Sequence, residues 1–203
     1  MILSYGQVEA AIVAHLRVHP DKIGTLRARV KQLQKLQFPA GVNVGRGAKM
    51  HYSAEHLFKL VTAFELINVG LPALPATTIV ERNWQQFSAG YGIAFRIDYR
   101  ERAGRPRDVY FRVAYEVLSA LTTTDDEDPY VDIVNIENAA MLQDELAYNP
   151  DIKGNSFLLL CASHIVRSVF FGCEIARVTD ATADQELDTW PDRLPITMSW
   201  PNE

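Results

Sequence analysis

The chain has few cysteines and no long hydrophobic run, and these two shortages exclude several classes of protein. Its 203 residues include two cysteines, Cys161 and Cys173, too few for a disulfide framework and without metal-ligand spacing. Their apolar surroundings favour buried free thiols over a bridge. The longest apolar stretches, around Phe157–Ala162 and Val169–Phe171, are far too short to span a bilayer.

The first residues have neither the charged start nor the long apolar run of a signal peptide, so we expect none. We therefore expect a cytoplasmic, nucleoid-associated protein with no membrane partner. With 48% hydrophobic and 10% aromatic residues the chain can bury a core, and 22% charge argues against disorder.

Charge is divided unevenly along the chain. Residues 1–60 hold nine Lys and Arg against three Asp and Glu, whereas residues 61–203 hold eleven against twenty-two. No acidic residue lies between Asp21 and Glu55. A basic head on an acidic body indicates a polyanionic partner for the head, and nucleic acid is the first candidate.

Apolar periodicity in the basic head predicts a series of helices. We expect them over about residues 5–16, 22–36, 53–70 and 73–84. Pro20 separates the first two, and Asp21 is placed to cap the second. Residues 42–52, with Gly45-Arg46-Gly47 at the centre, predict two short strands around a turn. Helix, break, helix, two-stranded wing and helix is the order of a winged helix-turn-helix.

The second helix carries most of the candidate DNA-binding residues. With Leu26 facing inward, its outward arc includes Gly24 and Ala28, whose small side chains allow the backbone to approach DNA closely. The candidate contacts on this helix and the wing are Thr25, Arg27, Arg29, Lys31, Gln32, Lys35, Arg46 and Lys49. The helix would address base edges in the major groove, and the wing would reach phosphates or the minor groove. The alternative is a solvated amphipathic helix with ordinary surface lysines.

These segments resemble the DNA-binding domain of MerR-type regulators over about residues 4–80. Thr25-Leu26-Arg27 is similar to the start of that family's recognition helix. Tyr52-Ser53-Ala54-Glu55, followed by Leu57 and Leu60, is similar to the opening of the helix after its wing, and Gly70 to the glycine that ends it. The resemblance implies that the head docks on double-stranded DNA as a winged helix.

The chain departs from this family at three points. Ala28-Arg29 stands where the family has an aromatic pair, and Met50-His51 stands where it has arginines. No apolar heptad follows Trp84, so the family's dimerisation helix is absent. The resemblance therefore carries the mode of DNA docking and does not carry the family's sensing of metals or drugs.

The remaining sequence predicts a mixed α/β body. We expect a hairpin, a further strand, a helix, a buried strand and a last helix, over residues 91–99 with 109–113, 130–136, 137–148, 157–161 and 162–171. The fold class is then α+β, with a winged helix-turn-helix at residues 1–85 and a dimerisation or regulatory domain at residues 88–180. Residues 181–203 are expected to form a loosely ordered acidic tail that contains prolines.

The body shows no catalytic pattern. His164 lacks partners nearby in the sequence, which favours a satisfied, partly buried histidine. The acidic run Asp125–Asp128 lacks the spacing of a calcium loop and is interpreted as a solvated loop. Four arginines between Arg100 and Arg107 predict a polar hairpin tip, with a second phosphate-contacting arm as the alternative. We expect no catalytic residue, metal or cofactor.

The sequence thus predicts a sequence-specific DNA-binding protein, a transcriptional regulator that acts as a homodimer through its body. An architectural or recombination accessory protein would use the same head. A protein of a different class, an adaptor whose basic head docks on an acidic protein surface, is the rival, followed by an enzyme that acts through the body. Nothing in the sequence names an effector or protein partner for the body.

Overall fold

The computed structural model describes residues 2–42, 51–100, 108–114, 129–130, 133–148, 156–176, 178 and 182–193. Its helices are α1 Tyr5–His15, α2 Ile23–Lys35, α3 Ala54–Asn68, α4 Ala73–Arg82, α5 Trp84–Phe95, α6 Ala139–Tyr148, α7 Ala162–Ile175 and α8 Thr182–Thr189. Its strands are β1 Val109–Val113, β2 Val134–Asn138 and β3 Leu158–Cys161, which form an antiparallel sheet in the order β2-β1-β3. The described fold is mixed α and β with helices predominating.

Side-chain caps explain where α1 and α3 begin. Ser4 and Ser53 precede them, and each Oγ accepts a hydrogen bond from the backbone N–H three residues later. The helix predicted from residue 22 is confirmed, but its predicted cap is wrong. Asp21 lies inside a 3-10 turn, Pro20–Lys22, that runs directly into α2. Pro20 keeps His19 extended, and the His19 side chain caps this turn.

Helices α1, α2 and α3 end in the same backbone motif. The residue after each C-cap is left-handed: Arg17 has φ +51°, Gln37 has φ +59° and Gly70 has φ +109°. The next N–H then returns to a carbonyl five residues earlier, Val18 to Val13, Phe38 to Leu33 and Leu71 to Leu66, at 3.0–3.1 Å. This is the Schellman motif, which favours glycine at the left-handed position. Arg17 and Gln37 therefore occupy positions where a side chain is strained.

The strand predicted over residues 91–99 is wrong, because this segment is the end of α5 and a π-helical turn, Arg96–Arg100. Glycines and aromatic residues have low helix propensity, which made the pattern resemble a strand. Tertiary packing explains the glycines. A Cβ at Gly90 would overlap the ring of Phe111, and one at Gly92 would overlap Pro191. Close packing thus overrides local propensity.

The sheet packs on α5 through its central strand β1. The Phe111 ring lies 4.9 Å from the rings of Phe87 and Tyr91. The predicted strand at 109–113 is confirmed, and the one predicted at 130–136 begins later, at Val134. Strand β3 is also present, but it is an edge strand among the described residues and Leu159 is 41% exposed. The expectation of a buried strand therefore holds only at Leu160, which is 4% exposed.

Residues beyond 181 contribute to the core. They were expected to be loosely ordered, yet 182–193 form α8 and a 3-10 turn, Trp190–Arg193, that pack against α5. Leu187 and Trp190 are fully buried, and the Trp190 ring lies 5.5 Å from Phe58 of α3. The reason is the two apolar side chains three residues apart, which place one face of this segment in the core.

One hydrophobic cluster joins the described parts of the head and the body. Helix α1 packs along α7, where a Cβ on Gly172 would lie 2.8 Å from the Cα of Ala11. Described residues on both sides of the expected boundary at 85–88 thus bury apolar surface against each other.

Candidate nucleic-acid interface

Helix α2 presents the predicted residues to solvent. Leu26, Val30 and Leu33 are at most 4% exposed and hold its inner face in the core. The candidate residues on the other faces are all exposed: Thr25, Arg27, Arg29, Lys31, Gln32 and Lys35. The small Gly24 and Ala28 are exposed as well, and a Cβ at Gly24 would meet no atom within 4 Å. The outward arc is therefore open and donor-rich.

Most of the cations on this arc have no acidic partner among the residues that the structure describes. Within the described ranges, Arg29, Lys31 and Lys35 form neither an ion pair nor a side-chain hydrogen bond. No described residue neutralises their charges, and exposed, unneutralised cations are the condition for attracting a polyanion.

Arg27 is the exception. Its Nε donates to Glu9 Oε2 at 2.6 Å and its Nη2 donates to Glu9 Oε1 at 2.7 Å. These hydrogen bonds hold the pKa of the Glu9 carboxyl below its usual range. The Arg27 side chain is still 57% exposed, so the pair fixes its direction on the surface without covering it.

The two predicted wing residues, Arg46 and Lys49, lie outside the described residues, as does the Gly45-Arg46-Gly47 turn. The segment that leaves this region is anchored at Tyr52, whose backbone pairs with Leu3 at 2.7 and 2.9 Å. The Tyr52 hydroxyl accepts a hydrogen bond from Gln34 of α2 at 3.1 Å.

The same segment positions α3. Ser53 caps α3, and its own N–H donates to His56 Nδ1 at 3.0 Å. Burial lowers the pKa of His56, which favours the neutral ring that can accept this bond. Tyr52 and Ser53 of the predicted motif thus have identifiable structural roles before α3.

Two further cations, Arg17 and Lys22, were missed by the sequence analysis. Both are exposed and, in the part of the chain that the structure describes, lack an ionic partner. They lie beside Thr25 and Arg29 at the edge of a cleft between α2 and α3. Arg17 could not be found by helical periodicity, because it follows the end of α1.

A partly buried polar cluster around His15 was also missed. His15 of α1 has Nε2 2.7 Å from Glu65 Oε1 of α3 and Nδ1 2.5 Å from Ser168 Oγ of α7. The partners are 50 and 153 residues away in the sequence, so no local pattern could reveal them. The cluster ties three helices together beneath the cleft.

The order serine, histidine, carboxylate is that of a hydrolytic triad, but the surroundings of Ser168 differ from those of a nucleophile. Its Oγ donates to the carbonyl of Ile165 in its own helix, 3.0 Å away. Backbone N–H groups in the middle of a helix are already bonded within it, so they cannot form an oxyanion hole. We interpret the cluster as structural.

Both cysteines are free thiols, as predicted. Cys173 is buried, which raises its pKa to about 11, whereas Cys161 is half-buried. His164 is exposed, which corrects the expectation of a partly buried ring. The acidic run Asp125–Asp128 and residues 101–107 of the arginine-rich turn lie outside the described residues.

Across the described ranges, no three His, Cys, Asp or Glu side chains are grouped so that they could hold a metal ion. The helices found there are all too short or too polar to cross a bilayer. Comparisons with protein-family models, with curated proteins and with solved structures each find no significant match to this chain.

Proposed function

We propose that this protein is a sequence-specific DNA-binding protein, a transcriptional regulator that docks α2 in the major groove as a homodimer. The observation that carries the proposal is the outward arc of α2, where Arg29, Lys31 and Lys35 are exposed and unpaired among the described residues. Residues 22–54 contain no Asp or Glu that would offset their positive charge. A rigid helix with its apolar stripe in the core and cations outward is suited to a groove.

The local sequence supports the same mode of docking. Thr25-Leu26-Arg27 resembles the start of the recognition helix in MerR-type regulators, and Leu26 provides the inward anchor while its two neighbours face outward. Gly24 and Ala28 leave the helix backbone uncovered. The wing residues Arg46 and Lys49 complete the proposal as phosphate contacts.

A second copy would supply the second recognition helix, because one helix contacts too few bases for useful specificity. The body offers an apolar contact for this purpose. Phe171 and Ile175 lie one turn apart on α7 and are 60% and 57% exposed. Isologous pairing of such patches is the usual route to a twofold dimer.

The test is retardation of genomic DNA fragments by the full chain across a salt series. The full chain is used because α1 and α3 pack against α7 and Trp190. We expect affinity to fall with salt at a log–log slope of roughly −0.9 for each phosphate neutralised. Lys31→Gln should reduce this slope by about one. The control Arg82→Gln, exposed at the end of α4, should leave it unchanged.

Failure to retard any fragment at low salt would overturn the proposal. Equal affinity for all fragments would instead favour an architectural protein, because backbone contacts carry no sequence information. Sedimentation of the full chain, with and without Phe171→Asp, tests the dimer. If the full chain is a monomer at micromolar concentration, α7 does not provide a dimer contact.

A further inference from the structure

A cleft of about 550 Å³ opens between the end of α1, the start of α2 and the last turns of α3. This volume is within the range of small-molecule sites in proteins. Its lining is mixed: Leu16, Leu26, Phe64 and Ile67 supply an apolar side, and polar or charged side chains supply the rest. The cleft therefore suits an amphipathic molecule with one apolar part and one polar part.

The edge of the cleft is cationic. Arg17, Lys22 and Arg29 line it, are exposed, and have no ionic partner within the part of the chain described. The one acid among the lining residues is Glu65, whose Oε1 is engaged by His15 Nε2 at 2.7 Å. The lining thus carries three exposed cations against one carboxylate.

The backbone at Arg17 explains how its side chain comes to line the cleft. Its φ of +51° lies at the left-handed position of a Schellman motif, where the chain turns away from the end of α1. At the same position α3 has Gly70, and α2 has Gln37, which does not line the cleft. The strained backbone is therefore shared with α2, and the guanidinium at the cleft belongs to Arg17 alone among these three residues.

The apolar surface continues past Arg29. A second hollow of about 230 Å³ shares Arg29, Phe64 and Ile67 with the cleft and extends to Leu33 and Leu71. A phosphate group of DNA would need only the cations at the edge. The additional apolar surface fits a molecule that also has an apolar group. We propose that the cleft binds a small organic anion, an aromatic or aliphatic carboxylate whose apolar part lies on Phe64 and Ile67.

Such a ligand would regulate DNA binding, an inference that rests on the proposed function. Thr25 and Arg29 line the cleft and also belong to the proposed DNA-binding face. A carboxylate held by Arg29 removes that cation from the DNA and adds a negative charge beside α2. The expected effect is therefore weaker DNA binding when the ligand is present.

The test is calorimetry on the full chain, without DNA, with 2-naphthoate, octanoate and the neutral alcohol 2-naphthalenemethanol. We expect 2-naphthoate to bind about tenfold more tightly than the alcohol, a difference of about 1.4 kcal/mol. Arg17→Gln and Arg29→Gln should each abolish most of this preference. Lys35→Gln removes another exposed charge of α2, one that does not line the cleft, and should keep the preference.

The proposal is overturned if neither carboxylate binds at millimolar concentration, or if the alcohol binds as well as 2-naphthoate. It is also overturned if 2-naphthoate binds equally well to wild type and to Arg17→Gln. Binding of inorganic phosphate as tightly as 2-naphthoate would overturn it too. Regulation is tested separately: 2-naphthoate should lower the affinity of wild type for DNA but not that of Arg17→Gln. Unchanged DNA affinity at saturating 2-naphthoate would overturn the regulatory role alone.

Discussion

Arg27 and Glu9 form a two-point salt bridge that ties the proposed recognition helix α2 to α1. Both oxygens of the carboxylate accept hydrogen bonds, at 2.6 and 2.7 Å, from Nε and Nη2 of the guanidinium. Paired, bidentate geometry of this kind orients an arginine as well as neutralising it. Arg27 is therefore the candidate DNA contact that α1 already restrains.

Releasing Arg27 should strengthen DNA binding. We expect Glu9→Gln to tighten binding by about three- to tenfold, because one more cation becomes available to the polyanion. Arg27→Gln should weaken it, more for a target sequence than for random DNA if Arg27 contacts bases. DNA affinities of the two single variants and the double variant, measured by fluorescence anisotropy, give the coupling energy between Glu9 and Arg27. An effect of Glu9→Gln that is equally large in the Arg27→Gln background would show that Arg27 is not involved.

The same pair should contribute a pH-dependent part of stability. Because the pKa of Glu9 is lowered in the folded state, the carboxylate stabilises the protein above its unfolded pKa, about 4.3. This contribution is lost as pH falls through the folded pKa. Urea unfolding of wild type and Glu9→Gln should thus differ most near pH 7 and converge in acid. A constant difference down to pH 2 would contradict the linkage.

Two glycines on helices should respond oppositely to alanine. Gly24→Ala should stabilise the protein by about 0.5–1 kcal/mol, because the added Cβ meets nothing and alanine favours the helix. Its Cβ should nevertheless weaken DNA binding if the α2 backbone approaches the groove. Gly172→Ala should destabilise by about 1–3 kcal/mol, because its Cβ would meet the Ala11 backbone. Thermal unfolding measures both, and stabilisation by Gly172→Ala would refute the close α1–α7 approach.

Trp190 should be essential for the core even though it lies in the predicted tail. We expect Trp190→Ala to cost about 3–5 kcal/mol, because the ring is fully buried against Phe58 and Trp84. Tyr148→Ala, at an aromatic residue 82% exposed on α6, provides the control and should lower the free energy of unfolding by less than about 1 kcal/mol. Similar unfolding midpoints for the two variants would show that the C-terminal turn does not pack as described.

Ser168 should not act as a nucleophile. A fluorophosphonate probe is expected to leave it unlabelled, because its Oγ donates to the Ile165 carbonyl and no oxyanion hole faces it among the described residues. Ser168→Ala should instead cost about 1 kcal/mol through the lost contact with His15. Labelling of wild type that disappears in Ser168→Ala would reinstate the enzyme alternative.

The candidate site was only partly predictable from the sequence. The candidate residues of α2 lie on the faces away from Leu26, so the helical period alone predicts that they are exposed. The partner of Arg27 was not predictable, since Glu9 lies 18 residues away on another helix. The cleft cations were also missed, because Arg17 is placed by a turn and the cleft exists only once α1, α2 and α3 are together.

Local chemistry determined much of the fold. Serine caps at Ser4 and Ser53, the break at Pro20 and the stop at Gly70 fix helices whose hydrogen bonds lie within a few residues. Such short-range interactions can be recognised in sequence. The apolar stripe of α2 likewise determined which of its faces is exposed, because burial follows the helical period.

Only the tertiary structure decided the elements whose energy comes from distant partners. Gly90 and Gly92 lie in a helix because Phe111 and Pro191 pack against them, and Trp190 is ordered because Phe58 and Trp84 surround it. Burial of this kind outweighs the small differences in local propensity that a sequence pattern measures. The uneven charge pointed to the basic head, but the fold determined that Arg27 is restrained by Glu9 and that Arg29 lies at a cleft.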